Sequence, residues 1–176
     1  YLDNYENLSK SFILQIEDMK SRRKQKYEHQ ILGGWLDKAE GVVFSNWSYG
    51  KFNPNELPTS FGLDFGFSID PDTLIEVAID KNHKKIYVKE HLYQNGLRME
   101  QLATICLNKA ENRLIIADSA EDRLIVDLRH KGLNIEPIKK GTIESGVTMM
   151  LDFDIIVDES STNIAKELNN YAYLNK

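Results

Sequence analysis

The chain has 176 residues, 41% of them hydrophobic, which is enough for one core-bearing domain with an appendage. No apolar run approaches the roughly 20 residues of a membrane span, nothing resembles a signal peptide, and the single Cys106 excludes an internal disulfide framework and fits a reducing compartment. A formal net charge of −5 carries no global nucleic-acid signal, so any DNA contact must be local and the acids need another explanation, such as cations.

The first residue is Tyr1 rather than Met, and the expectation from this is a piece of something longer. Residues 1–56 read as an appendage. A helical stretch over 8–22 carries Phe12, Ile13, Ile16 and Met19 at helical spacing, and the basic run 20–26 follows it. Then come "ILGGW" and "GVVFSNW", short apolar pieces broken by glycine, and "FNPNELP" (52–58), a linker by its Pro and Asn content. From there the periodicity sharpens. Residues 60–68, 73–80 and 85–93 read as three strands joined by the polar turns "SIDPD" and "DKNHK". An amphipathic helix over 97–110 turns Leu102, Ile105 and Cys106 inward, and "RLIIAD" (113–118) is a short apolar strand of the buried parallel kind. A helix over 120–131 carries Leu124, Ile125 and Leu128 and ends at Gly132. "NIEPI" (134–138) is strand-like, 143–151 helical and "DIIVD" (154–158) a strand. The last helix starts after Ser160 or Ser161, with Ile164, Leu168 and Tyr171 on one face. The order βββ-α-β-α-β-α-β-α predicts an α/β fold: a mixed sheet, antiparallel at first, with helices on both faces.

Within "FGLDFGFSIDPD" (61–72), Asp64 interrupts a run headed for a core, and a buried carboxylate is costly unless it is paired or bound to a metal. Asp118 ends the fourth strand, where a carboxylate lines the crevice outside a parallel sheet's carboxyl edge. If strands one and four are neighbours, the two aspartates converge. Their charges then repel, which is unfavourable unless a divalent cation neutralises both. Oxygen-only ligands favour Mg²⁺ or Mn²⁺ over Zn²⁺. Two such ions, about 3.5–4 Å apart, suit phosphodiester cleavage.

"GLDFGFSIDPDTLIEV", "IIADSAEDRLIVDLRHKGLNIEPIKKG" and "DIIVDESSTNIAKELNNYAY", in this order and spacing, resemble the nuclease domain of the large terminase subunit of tailed bacteriophages. "ILGGWLDKAEGVVFSNW" resembles the segment that links this subunit's ATPase motor to its nuclease. The resemblance implies a ribonuclease H-like fold over 57–176. It also implies a metal-dependent DNA endonuclease that uses Mg or Mn to cut concatemeric viral DNA in the host cytoplasm. The implied partners are double-stranded DNA, the portal protein, the small terminase subunit and an ATPase motor preceding residues 1–56. By matching motifs, the family's first two metal-binding aspartates fall on Asp64 and Asp118. Its third acidic ligand belongs to a later helix that no residue up to Lys176 matches, which predicts a domain truncated at its C-terminus and weak or inactive alone. The phosphate loop G-x-x-x-x-G-K-[ST] of the motor is absent from the sequence, so ATP hydrolysis is not expected of it.

Several other residues carry a site reading beside a plainer one. Glu121 is a possible outer-shell ligand or a surface helix acid, and Asp70, before Pro71, is turn chemistry or faces the site. "DSAE" could make Asp118 a helix cap, although Ser119 suits that role better. Asp152, Asp154 and Asp158 read as solvated strand ends, and His83 and His91 as surface residues. Lys139 and Lys140 follow a strand on the expected active edge and are candidate phosphate contacts. The basic run 20–26 is a solvated helix end or a DNA contact. Two other functions compete: an actin-like ATPase, because "GLDFG" resembles that fold's phosphate motif, and a non-catalytic docking or DNA-binding fragment with an incomplete metal site. The first needs two such half-domains and an adenosine loop, which 176 residues do not provide.

Overall fold

The computed structural model describes residues 17, 41–54, 56–66, 69–118, 121–139 and 141–172. The expected helix over 8–22 (Glu17 apart), the basic run 20–26, "ILGGW", Ser119 and Lys140 lie outside the described residues. Seven strands are present: β1 (Trp47–Gly50), β2 (Thr59–Asp64), β3 (Asp72–Asp80), β4 (Lys85–Gln94), β5 (Ile115–Ala117), β6 (Ile135–Pro137) and β7 (Asp154–Asp158). Four helices accompany them among the residues from 41 onward that are described: α1 (Met99–Ala110), α2 (Asp122–His130), α3 (Ile143–Leu151) and α4 (Thr162–Asn170).

The strands form one sheet in the order β1-β7-β4-β3-β2-β5-β6. The β2–β3 and β3–β4 pairs are antiparallel, as tight turns dictate, and every other pair is parallel. Two apolar clusters cover the two faces. On one, Phe61, Leu63, Leu74, Ile115 and Ile135 meet Leu102 and Cys106 of α1 and Ile125 and Leu128 of α2. On the other, Ile86, Val88, Ile155 and Val157 meet Leu168 of α4, with Val147 and Met150 of α3 packed against them. The helices therefore lie on both faces, as the alternating order predicts. No helix among the described residues is long and apolar enough to cross a membrane.

A register shift explains how β4 serves both clusters. Leu74 faces Leu92 but Ile75 faces Glu90, so His91 is an extra residue. Such a bulge flips the side-chain alternation. Leu92 joins the first cluster, and Val88 and Ile86 join the second. Beyond the bulge, the Glu90 carboxylate accepts hydrogen bonds from the Ile164 N–H (3.3 Å) and from Asn163 Nδ2 (2.8 Å) at the start of α4. A carboxylate there satisfies donors that the helix itself leaves open. At the end of α2, Gly132 takes φ 96°, and the Leu133 N–H reaches the Leu128 carbonyl at 3.1 Å, the expected glycine cap.

Several expectations about the fold differ from the structure. The strand expected over 60–68 stops at Asp64, because the β3 ladder begins opposite it at Thr73 and the chain must turn away. Residues 47–50, expected in the appendage, form the edge strand β1 beside β7; Val43 and Phe44 are buried, and Asn46 Nδ2 donates to the Met150 carbonyl at 2.9 Å. Four residues ending in a glycine were too short to show a period. Tyr171, expected on the apolar face of the last helix, follows α4 and lies against Phe44 with ring centroids 5.3 Å apart. His91, expected at the surface, is largely buried: its bulge position turns it to Glu76, Nε2 to Oε2 2.8 Å.

Candidate metal centre

The parallel β2–β5 ladder pairs Phe61 with Ile115, Gly62 with Ile116 and Leu63 with Ala117. The next residue on each chain is an aspartate, Asp64 and Asp118. Since Phe61, Leu63, Ile115 and Ala117 enter the first core, alternation sends Gly62, Ile116 and both aspartates to the other face. There they line one open cleft of about 980 Å³, with Lys139, Thr142 and Ile143 on its wall. Neighbouring strands run about 4.8 Å apart, so the two carboxylates share one space.

Their charges interact accordingly. Partial desolvation raises the Asp64 carboxyl above its ordinary pKa, and the like charges of Asp118, Asp70 and Asp72 raise it further, against a lowering hydrogen bond from the Phe65 N–H. Asp64 is solvent-exposed at the strand end, not buried in the core as its apolar neighbours suggest, so water limits the desolvation while the crowding of acids persists.

The turn after Asp64 fixes its position. The Gly66 N–H donates to Asp72 Oδ1 at 2.9 Å, which holds the chain where it leaves β2. A Cβ on Gly66 would lie 2.3 Å from the Asp70 carbonyl oxygen and 2.6 Å from the Asp72 nitrogen, so only glycine fits. Asp72 is buried at the start of β3 and was not singled out from the sequence. Its signal was the second acid of "DPD", two residues after Asp70. The cleft wall at α3 was missed as well: Thr142 caps that helix, its hydroxyl accepting the Ser145 N–H at 3.2 Å.

The other candidates separate cleanly. Lys139 lines the cleft. Asp70 lies in the exposed turn before β3 and acts on Asp64 through its charge. Glu121 occupies the cap position of α2, exposed and outside the cleft lining. Asp152 and Asp154 are exposed, and Asp154 pairs with Lys85 at the opposite end of the sheet. Asp158, expected to be solvated, instead accepts the Phe52 N–H at 3.0 Å and bonds Ser160, because β1 brings residue 52 onto the end of β7. His83 is in the exposed turn and meets Asp80 at 2.7 Å, a surface role as expected. Among the described residues, no three His, Cys, Asp or Glu side chains are grouped closely enough to hold a metal.

A second charged group lies on the opposite face and is structural. Glu76 of β3 is buried and bonds both His91 and the Arg113 guanidinium, which also reaches Thr59 Oγ1 at 2.9 Å and covers the Phe61 ring. Burial alone would raise Glu76, but hydrogen bonds from His91 and Thr59 and the Arg113 charge hold it below the ordinary range. Cys106 is an inert core thiol, pushed up to about 12 by burial and then by the Asp72 charge.

Antiparallel β2-β3-β4, parallel strands on either side, and a cleft at the carboxyl ends of β2 and β5 make up a ribonuclease H-like fold of the kind found in terminase nucleases. The chain belongs to the terminase family: residues 64–176 match its model, described as the terminase RNAseH like domain. It is 36% identical over 180 residues to the large terminase subunit of Bacillus phage SPP1, covering 94% of this chain and 42% of that protein, and so spans less than half of that relative's length. Among solved structures it is similar to the large terminase nuclease domain of bacteriophage SPP1 with bound Mn, at TM-score 0.66 and 30% identity over 77% of this chain and 84% of that one. It shares its fold with the large terminase nuclease of thermophilic phage G20c with bound magnesium, at TM-score 0.55 and 18% identity over 78% of this chain and 84% of that one.

Proposed function

We propose that this chain is a metal-dependent DNA endonuclease, the cutting domain of a terminase large subunit that cleaves concatemeric phage DNA during packaging in the host cytoplasm. The observation that carries this reading is the pair Asp64 and Asp118, set side by side by the β2–β5 register at one end of an open cleft. The residues present fit a divalent cation. The donors are carboxylate oxygens, and the crowding of Asp64 by Asp118, Asp70 and Asp72 is a repulsion that a cation would relieve. Relatives solved with Mn and with magnesium support the choice of ion.

In this reading Asp64 and Asp118 are the residues that would hold Mg²⁺ or Mn²⁺, in the two-metal chemistry that the resemblance implies. A cation there supplies Lewis acidity toward the phosphodiester and the attacking water. Asp72, through Gly66, keeps the chain after Asp64 in place. Lys139, with Lys140 beside it in sequence, draws the DNA backbone to the cleft by charge. The wider partners in this reading are an ATPase motor of the same subunit, the portal and the small terminase subunit.

A non-catalytic DNA-binding role is the second reading, favoured by the lack of a three-ligand group among the described residues. Nicking of supercoiled plasmid in Mn²⁺ separates the two. The endonuclease reading expects nicked product that disappears in Asp64→Asn and in Asp118→Asn. A chain that binds duplex DNA yet leaves plasmid intact, alone and within a full-length subunit, supports the second reading.

A further inference from the structure

Part of the cleft lining contributed by the end of β6 and by α3 is apolar, where a nuclease that held only the phosphate backbone would need charge. Ile143, the first residue of α3, is 75% exposed, and Met149 and Ile138 are 55% and 46% exposed. All three line the same cleft as Asp64, Asp118 and Lys139. Single exposed apolar residues need no explanation, but a group of them around one cleft does.

Helical spacing shows how this arises. Ile143, Val147 and Met150 follow i, i+4, i+7 and make one stripe. The later part of the stripe reaches the second core, since Val147 and Met150 pack there. The first turn lines the cleft, where Ile143 stays exposed. Its position is nonetheless fixed: Thr142 accepts the Ser145 N–H, and Ser145 Oγ donates back to the Thr142 carbonyl at 2.8 Å.

We propose that the first turn of α3 enters the minor groove of the substrate duplex, with Ile143 as an apolar wedge against the base step beside the cleaved phosphate and Lys139 on the flanking backbone. This inference rests on the endonuclease reading of the same cleft. Ile and Met are among the side chains that serve as minor-groove wedges, partly unstacking a step and bending the duplex. A net charge of −5 gives the chain no global attraction to a polyanion, so its contacts to DNA have to be local. Apolar contact at Ile143 adds affinity without adding positive charge.

The test is binding of the 176-residue chain to a duplex bearing 2-aminopurine, in Ca²⁺ as a filler of oxygen sites, across a salt series. Ile143→Ser is expected to weaken binding roughly tenfold, about the worth of one buried aliphatic side chain. It should abolish the 2-aminopurine fluorescence rise and leave both the salt slope and the melting temperature unchanged. Ile143→Val should retain binding and signal, whereas Lys139→Ala should lower the salt slope by about one. Netropsin, a minor-groove ligand, should compete with the wild type. Wild-type affinity and fluorescence in Ile143→Ser would overturn the wedge while plasmid nicking still upheld the nuclease. A dimer that dissociates in Ile143→Ser would assign the apolar wall to a second copy and overturn it too. A wild-type chain that neither binds nor nicks DNA would remove both readings.

Discussion

Leu63 of β2 and Ala117 of β5 are partners in parallel register, and each is followed directly by an aspartate. This relationship brings together two carboxylates that lie 54 positions apart in sequence (118 − 64) and places them on the face away from the first core. In EDTA, Asp64→Asn is expected to leave the melting temperature unchanged or to raise it, because one of two repelling charges is gone. Added Mn²⁺ should raise the wild-type melting temperature by mass action and leave that of Asp64→Asn or Asp118→Asn nearly unmoved. A large drop in melting temperature without metal would instead show that Asp64 supports the fold.

The raised pKa of Asp64 gives a signed pH dependence. A carboxyl with an elevated folded-state pKa binds its proton more tightly in the native state. Metal-free stability should therefore fall as pH rises through that elevated value. The penalty is complete above it and absent below the ordinary carboxylate range. Glu76 and Asp158 run the other way: burial opposes but hydrogen bonds prevail, so both are lowered, and their stabilisation is lost as pH falls through the lowered values. Urea unfolding of wild type and Asp64→Asn over one pH series isolates the Asp64 part as the difference. The gain in Asp64→Asn should grow with pH and then level off.

Gly66→Ala should destabilise by about 2 kcal/mol, since the added Cβ meets backbone atoms of residues 70–72 at under 3 Å, and the turn that holds Asp72 must shift to admit it. It should also weaken the Mn²⁺-induced shift in melting temperature by displacing Asp64. Gly146→Ala is the control. A Cβ at that position would have no atom within 4 Å, and alanine in a helix gains roughly 0.5–1 kcal/mol over glycine.

Glu76→Gln breaks a buried group shared by β3, β4 and the segment before β5. The expected cost is about 3 kcal/mol, the low end for a buried pair because Arg113 keeps access to water. Thermal unfolding measures the loss. The Mn²⁺ response should survive at temperatures where the protein stays folded, because Glu76 lies on the face opposite the cleft.

Nicking by this chain should be faster in Mn²⁺ than in Mg²⁺. Mg²⁺ demands near-ideal octahedral geometry and dehydrates reluctantly, and two aspartates leave much of its shell to water and DNA. Plasmid nicking at matched ion concentrations is the measurement. Equal rates in the two ions would mean that a further carboxylate completes the site.

Much of the fold, and the aspartate pair of the candidate site, were legible in the sequence. α3 and β7 fall where the periodicity puts them, because a long apolar stripe or a β-branched run is a local signal. Asp64 and Asp118 stood out because acids are out of place beside strand cores. Asp72 did not, since its role depends on the Gly66 N–H reaching it across the turn.

Local chemistry by itself determined six of the seven strands, the four helices among the described residues, their alternation and the terminase resemblance, because propensity, period and motif are properties of neighbouring residues. Tertiary structure alone decided four things: that β1 closes one edge of the sheet, that the bulge at His91 shares β4 between two cores, that Glu76 has partners, and that Ile143 lines the same cleft as the aspartates. Each depends on which distant residue stands opposite which. That pairing is fixed only when both faces of the sheet are buried at once, since a slip of one residue would turn every side chain to the wrong face.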